Sequence, residues 1–201
     1  MIPKITQIAI WLILILLAII LVCHPECRDA ITEAFIEMRH STLTGKKYGI
    51  HDHLPDSLQT ANVIGRLDQF IDKLTGYIER ADPADPRTTR LLQRLNDVRI
   101  EEAPWEHGTS SYTLNKGELI ALCVRNKDNK DFHDQNTLLF VVIHELAHVA
   151  SVSKGHNKEF MDSFKWLLKH ARASGLYHPV DYSQQPITYC GVKVTNNPLF
   201  G

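Results

Sequence analysis

The pattern of apolar and polar positions changes character several times along the chain. It opens on "IAIWLILILLAIILVC", Ile8 to Cys23, a run with no polar side chain. Adding Ile5, Thr6 and Gln7 gives residues 5–23, roughly 28 Å as a helix and close to the hydrocarbon thickness of a bilayer. The pattern predicts a transmembrane helix, kept as an anchor because the run is long for a signal segment and "LVCHPECRD" offers no A-x-A-like cleavage site. Beyond it the chain turns polar. "RDAITEAFIEMRH" predicts a short helix with Ile31, Phe35 and Met38 on one side, and "STLTGKKYGIHDHLPDSLQT" a linker. Residues 24–60 therefore read as a juxtamembrane stalk, with His51 and His53 as solvated loop histidines.

Regular periodicity begins at residue 61. Ile64, Leu67, Phe70, Ile71, Leu74, Tyr77 and Ile78 recur at helical spacing up to the proline-punctuated "ADPADP". "RTTRLLQRLNDV" predicts a second helix and "RIEEAPW" a short extended piece. "SYTLNKGELIALCVRNK" reads as a hairpin, two short runs around Asn115-Lys116-Gly117. "NTLLFVVIHELAHVASVSKG" is ambiguous, because "FVVI" alone favours a strand. A run apolar on every side over sixteen positions fits a buried helix better, capped by Asn136 or Asp134 and ended by Gly155 in a left-handed turn. "NKEFMDSFKWLLKHA" then predicts a further helix.

The chemistry sits on the buried helix. His144 and His148 are one turn apart and face the same way, so both imidazoles can reach one ion. Glu145 projects beside them, where it can take a proton from a metal-bound water without ligating the metal. A catalytic zinc site needs a third protein ligand and an open position. His156, after the Gly155 turn, is the expected third ligand, with Glu159 and Asp162 as alternatives. The cofactor these residues imply is Zn2+.

Composition narrows the partners. The chain carries 22 basic and 23 acidic side chains and no basic stripe longer than a Lys-Lys pair, so nucleic-acid binding is not implied. Four cysteines, Cys23, Cys27, Cys123 and Cys190, make neither a disulfide scaffold nor a zinc ribbon. The flanking charges leave orientation undecided, while the absence of an N-x-[ST] acceptor leans toward a cytosolic domain on a single-pass anchor. Nothing in the sequence speaks to oligomeric state.

"SYTLNKGELIALCVR", "HELAH", "GHNKEF" and "WLLKHA" resemble the WLM metalloprotease family, zincins close to the SprT-like group. The likeness covers Tyr112 to Ala171 and, more loosely, "HPVDYSQQPITYCG", and extends to WLM-type proteins of large DNA viruses. It implies an α+β fold, helices on a small mixed sheet, for residues 61–201. It also implies His144, His148 and His156 as zinc ligands, Glu145 as general base, and Glu118 to Arg125 as the strand beside the cleft. The seven residues between His148 and His156 are nearer the SprT-like spacing. The function expected is a membrane-anchored metallopeptidase that hydrolyses a protein or peptide substrate through a Glu-assisted, zinc-bound water. Tyr189 is the candidate second donor to the oxyanion, with Tyr177, Tyr182 and His178 as alternatives. Two other functions are open: a membrane-bound interaction module whose structural zinc has Cys190 as fourth ligand, and a protease of DNA–protein crosslinks.

Overall fold

The structure, a computed structural model, describes residues 6–7, 10–16, 36–51, 54–104 and 110–200. The chain divides into two compact units, 1–36 and 37–201. In the first, residues 10–16 are helical and exposed. Among the described residues no helix is long and apolar enough to cross a membrane. Most of the expected 5–23 segment lies outside the described residues, as does residue 53 of the two loop histidines.

The second unit is built on a five-stranded mixed sheet: β1 (Ile36–His40), β2 (Lys47–His51), β3 (Arg99–Glu102), β4 (Tyr112–Leu114) and β5 (Leu119–Leu122). Their order is β1-β2-β3-β5-β4, with β2, β3 and β5 parallel and β4 antiparallel to β5. The helices are α1 (Ser57–Ala81), α2 (Pro86–Leu95), α3 (Gln135–Ala150) and α4 (Lys158–Ala173). A separate hairpin, β6 (Ile187–Tyr189) and β7 (Val192–Val194), closes the chain. The α+β class with a mixed sheet is as expected.

Local chemistry explains most boundaries. Asp85, Asp134 and Asn157 cap α2, α3 and α4 by accepting from the N–H of Arg87, Thr137 and Phe160. Helix α1 buries Ile64, Leu67, Phe70, Ile71, Leu74 and Ile78, the stripe its periodicity marks, with Tyr77 half-buried. In α3 the residues from Thr137 to Ile143 are all buried, as α1, α2 and α4 pack around the helix. Burial on every side overrides the strand preference of "FVVI". The helix ends at Ser151, earlier than expected, and Gly155 lies in the loop beyond it.

Of the stalk expected over residues 24–60, the described part from residue 36 on belongs to the folded unit instead, and residues 24–35 lie outside the described residues. Residues 36–40 are a strand rather than helix, residues 47–51 form β2 inside the sheet, and α1 begins at Ser57. Polar side chains in this stretch find partners far along the chain. Tyr48 donates its hydroxyl to Asp68 at 2.6 Å, and Lys46 donates to the same carboxylate at 2.8 Å. His51 is 3% exposed rather than solvated: its N–H donates to Glu102 Oε2 and its Nε2 lies 2.9 Å from Ala103 O.

Glu102 also faces Arg125, 2% exposed, with Nε 3.4 Å from Oε1. The guanidinium donates to Pro55 O and Thr60 Oγ1 and stacks over Phe132 at 4.3 Å. This buried pair ties the end of β2, the start of α1 and the segment after β5 into one body.

Candidate metal centre and cleft

Helix α3 presents His144 and His148 one turn apart. The chain then leaves the helix at Ser151, turns through Gly155 at φ +78°, and delivers His156 just ahead of the α4 cap. His156 Nε2 lies 3.0 Å from His144 Nε2 and 3.1 Å from His148 Nε2. A single ring proton cannot point along both contacts, whereas a cation among three lone pairs satisfies all of them. Nitrogens about 2.0–2.1 Å from a tetrahedral ion sit roughly 3.4 Å apart, so small shifts would seat zinc here. The donor set fits that metal.

Phe160, 1% exposed, is the floor under all three rings, with centroids 4.8, 4.4 and 4.6 Å from those of His144, His148 and His156. Burial, then the neighbouring imidazoles, pushes His144 down to about 3. His148 falls to about 4 for the same reasons, with burial first and His156 next. Both rings are neutral at neutral pH, with lone pairs available for a metal.

Of the two alternative ligands, Glu159 is engaged elsewhere. It accepts from the N–H groups of Val152 at 2.6 Å and Ser153 at 2.9 Å and from the Ser153 hydroxyl, which clips down the loop carrying His156. These bonds, the Ser153 hydroxyl foremost, hold its carboxyl at about 2. Asp162 pairs with Lys158 at 2.6 Å. The loop is fastened from the other side by Lys116, at the tip of the β4–β5 hairpin, which donates to His148 O and Ser153 O. Gly117, at φ +122°, passes where a Cβ would stand 2.9 Å from Arg94 O. Arg90 and Arg94 donate to Ala150, Val149 and Ser151 carbonyls, so three cations meet the negative end of α3.

The imidazoles open onto a cleft of about 780 Å³. Glu145, 3% exposed, lines it, and its Oε2 accepts from Thr113 Oγ1 at 2.8 Å. Burial raises this carboxyl to about 7, and the Thr113 hydrogen bond pulls against that rise. Thr113 belongs to β4, which ends the sheet and lines the cleft together with residues 110–116. The strand beside the cleft is thus β4, not the Glu118–Arg125 stretch: β5 is buried over its whole length between β3 and β4.

Tyr189 also lines the cleft, but its hydroxyl proton goes to Cys123 O at 2.6 Å. The Ser111 hydroxyl, 2.6 Å away, therefore donates to Tyr189 while accepting from Cys123 N–H. The donor expected of Tyr189 is spent within the wall. Cys190 is joined to Cys123 in a disulfide, Cα–Cα 6.5 Å, and does not reach the three imidazoles. The sequence reading did not pair these two cysteines, and the bond removes the fourth ligand of a closed zinc shell. Among the described residues no fourth His, Cys, Asp or Glu joins the His144–His148–His156 group.

Sequence reading missed Phe160, Thr113 and the Glu159 clip. Phe160 alone carried a local signal, four residues after His156 on the helix that follows it.

The sequence model of the WLM domain fits residues 100–196, and the chain belongs to the WLM domain family. Uncharacterized protein R325 of Acanthamoeba polyphaga mimivirus is 30% identical over 163 residues, 79% of this chain and 82% of that protein. Uncharacterized protein 136R of Invertebrate iridescent virus 6 is 35% identical over 125 residues, 61% of this chain and 68% of its own length. Among solved structures, Wss1 from Saccharomyces cerevisiae superposes with a TM-score of 0.47 at 17% identity, covering 63% of this chain and 90% of that one.

Proposed function

We propose that the chain is a zinc-dependent metallopeptidase that hydrolyses peptide bonds of a protein substrate lying in the cleft. The observation that carries this reading is the meeting of three Nε2 atoms at an open cleft that the buried Glu145 also lines, with no fourth donor from the described residues. Family membership supports the same metal and reaction class. Zinc held by His144, His148 and His156 supplies Lewis acidity and a water of lowered pKa.

The chain's own residues do the rest. Glu145 takes the proton from the attacking water and returns it to the leaving amine. Thr113 holds the carboxylate in place for both transfers. Strand β4, terminal in its sheet, offers main-chain groups on its outer side to an extended substrate. The proposal includes the apolar segment 5–23 as a single-pass membrane anchor, supported by its length; alkaline extraction of membranes carrying the full chain tests it, and release into the soluble fraction refutes it.

Glu145→Gln tests the chemistry. It should retain one zinc per chain and lose about 10²- to 10⁴-fold in cleavage of an unfolded protein. Parental cleavage by this variant, or cleavage by the chain after its metal is stripped, would overturn the reading.

A further inference from the structure

A second set of metal donors meets outside the three-histidine group: Cys123, His133 and Cys190, one ligand atom from each within 4.8 Å of the others. They come from three separate segments. Cys123 follows β5, His133 precedes the α3 cap, and Cys190 occupies the tight β6–β7 turn. His133 Nε2 lies 3.3 Å from Cys190 Sγ, and its ring packs on Tyr189 with centroids 4.8 Å apart. Both cysteines are buried and His133 is half-buried. Peptide hydrolysis at the cleft uses none of the three.

We propose that these residues form a second metal site that opens when the Cys123–Cys190 disulfide is reduced, and that it takes a thiophilic divalent cation such as Zn2+. Reduction by two small-molecule thiols passes two electrons to the S–S bond, which breaks to give two protein thiols while the reductant forms its own disulfide. Metal binding then releases one proton from each thiol, and neutral His133 contributes the Nε2 lone pair. Two thiolates and an imidazole favour zinc over magnesium or calcium, and three protein donors leave one position of a tetrahedral shell for a small ligand. Sulfurs about 2.3 Å from one ion sit roughly 3.8 Å apart, which side-chain rotation reaches from a disulfide without moving the backbone far. Either bond, S–S or S–metal–S, fastens the β6–β7 hairpin, and with it the cleft wall made by Tyr189 and residues 192–196, to the end of β5.

The test is a Co2+ titration of the full chain, oxidised and after reduction by a phosphine, with free thiols counted in parallel. Thiolate ligation gives an intense sulfur-to-cobalt charge-transfer band in the near ultraviolet, which a three-imidazole centre cannot produce. The expected result is a band only in the reduced protein, with uptake rising by one equivalent. Cys190→Ser should lose both the band and the added equivalent, and His133→Ala should lose the added equivalent. The band should survive His144→Ala/His148→Ala, so the result stands apart from the fate of the peptidase reading. Two further free thiols on reduction, beyond Cys23 and Cys27, with no band and no added equivalent would overturn the proposal, as would a disulfide that resists reduction until the protein unfolds. The oxidised and reduced parental proteins alone decide it if a variant misfolds.

Discussion

Replacing Arg125 by leucine removes one partner of the most deeply buried ion pair described. The guanidinium donates to Pro55 O at 2.5 Å and to Thr60 Oγ1, and faces Glu102, itself 3% exposed. Hydrogen bonds to a charged group contribute about 1.5–3 kcal/mol each, partly offset because leucine escapes the guanidinium's desolvation cost. What leucine cannot do is neutralise Glu102, which is left with the neutral His51 N–H as its donor among the described residues. Breaking such a pair costs about 3–5 kcal/mol, against a total stability on the order of 5–15 kcal/mol for a domain. With a denaturant dependence of about 2 kcal/mol per molar urea, the unfolding midpoint should fall by about 2 M. Urea titration followed by tryptophan fluorescence reads this directly. Arg125→Leu/Glu102→Leu should be more stable than Arg125→Leu, since the orphaned carboxylate is gone. A single-variant loss below about 1 kcal/mol, or a double variant showing the plain sum of the two single losses, would refute the account.

Cys123→Ala/Cys190→Ala opens a loop spanning a sequence separation of 67 and should cost about 4 kcal/mol when unfolding is measured with a chelator present; an unchanged midpoint would show that the link is dispensable. Glu159 has a carboxyl lowered to about 2, so its clip on the His156 loop is complete above the ordinary carboxylate pKa of about 4.5 and is lost as pH falls from there toward 2. The Ser153 amide resonance should titrate near the lower value, and a midpoint near 4.5 would mean that the clip is absent in solution. Lys116, Lys154 and Lys193 line the cleft with Glu145 as the one acidic side chain among the described residues, so peptides with Asp or Glu flanking the scissile bond should be cut about two- to fivefold faster than lysine-flanked ones at low salt. Lys193→Glu should narrow that ratio, and equal rates for both peptides in the parental chain would contradict it.

The site was largely legible because its signals are local. The spacing of His144 and His148 states a shared helical face, and Gly155 beside His156 states a turn back toward it. The hairpin around Asn115-Lys116-Gly117 and the stripe on α1 follow from the same short-range rules. What escaped depends on partners far along the chain. Nothing near "KYGIH" says that Tyr48 meets Asp68 or that His51 meets Glu102, so a polar, glycine-containing stretch reads as linker although it is an inner strand. The Cys123–Cys190 pairing is likewise invisible before the β6–β7 turn brings Cys190 to β5.

One hydrogen bond, Thr113 Oγ1 to Glu145 Oε2, runs between the outermost strand and the carboxylate next to the imidazoles. Any guest that displaces Thr113 must alter how tightly Glu145 holds a proton, and by thermodynamic reciprocity the proton must alter, by an equal factor, how tightly that guest is held. Occupancy of the sheet margin and acidity of the carboxylate are therefore coupled quantities, and a pH titration of guest affinity measures the coupling without any turnover.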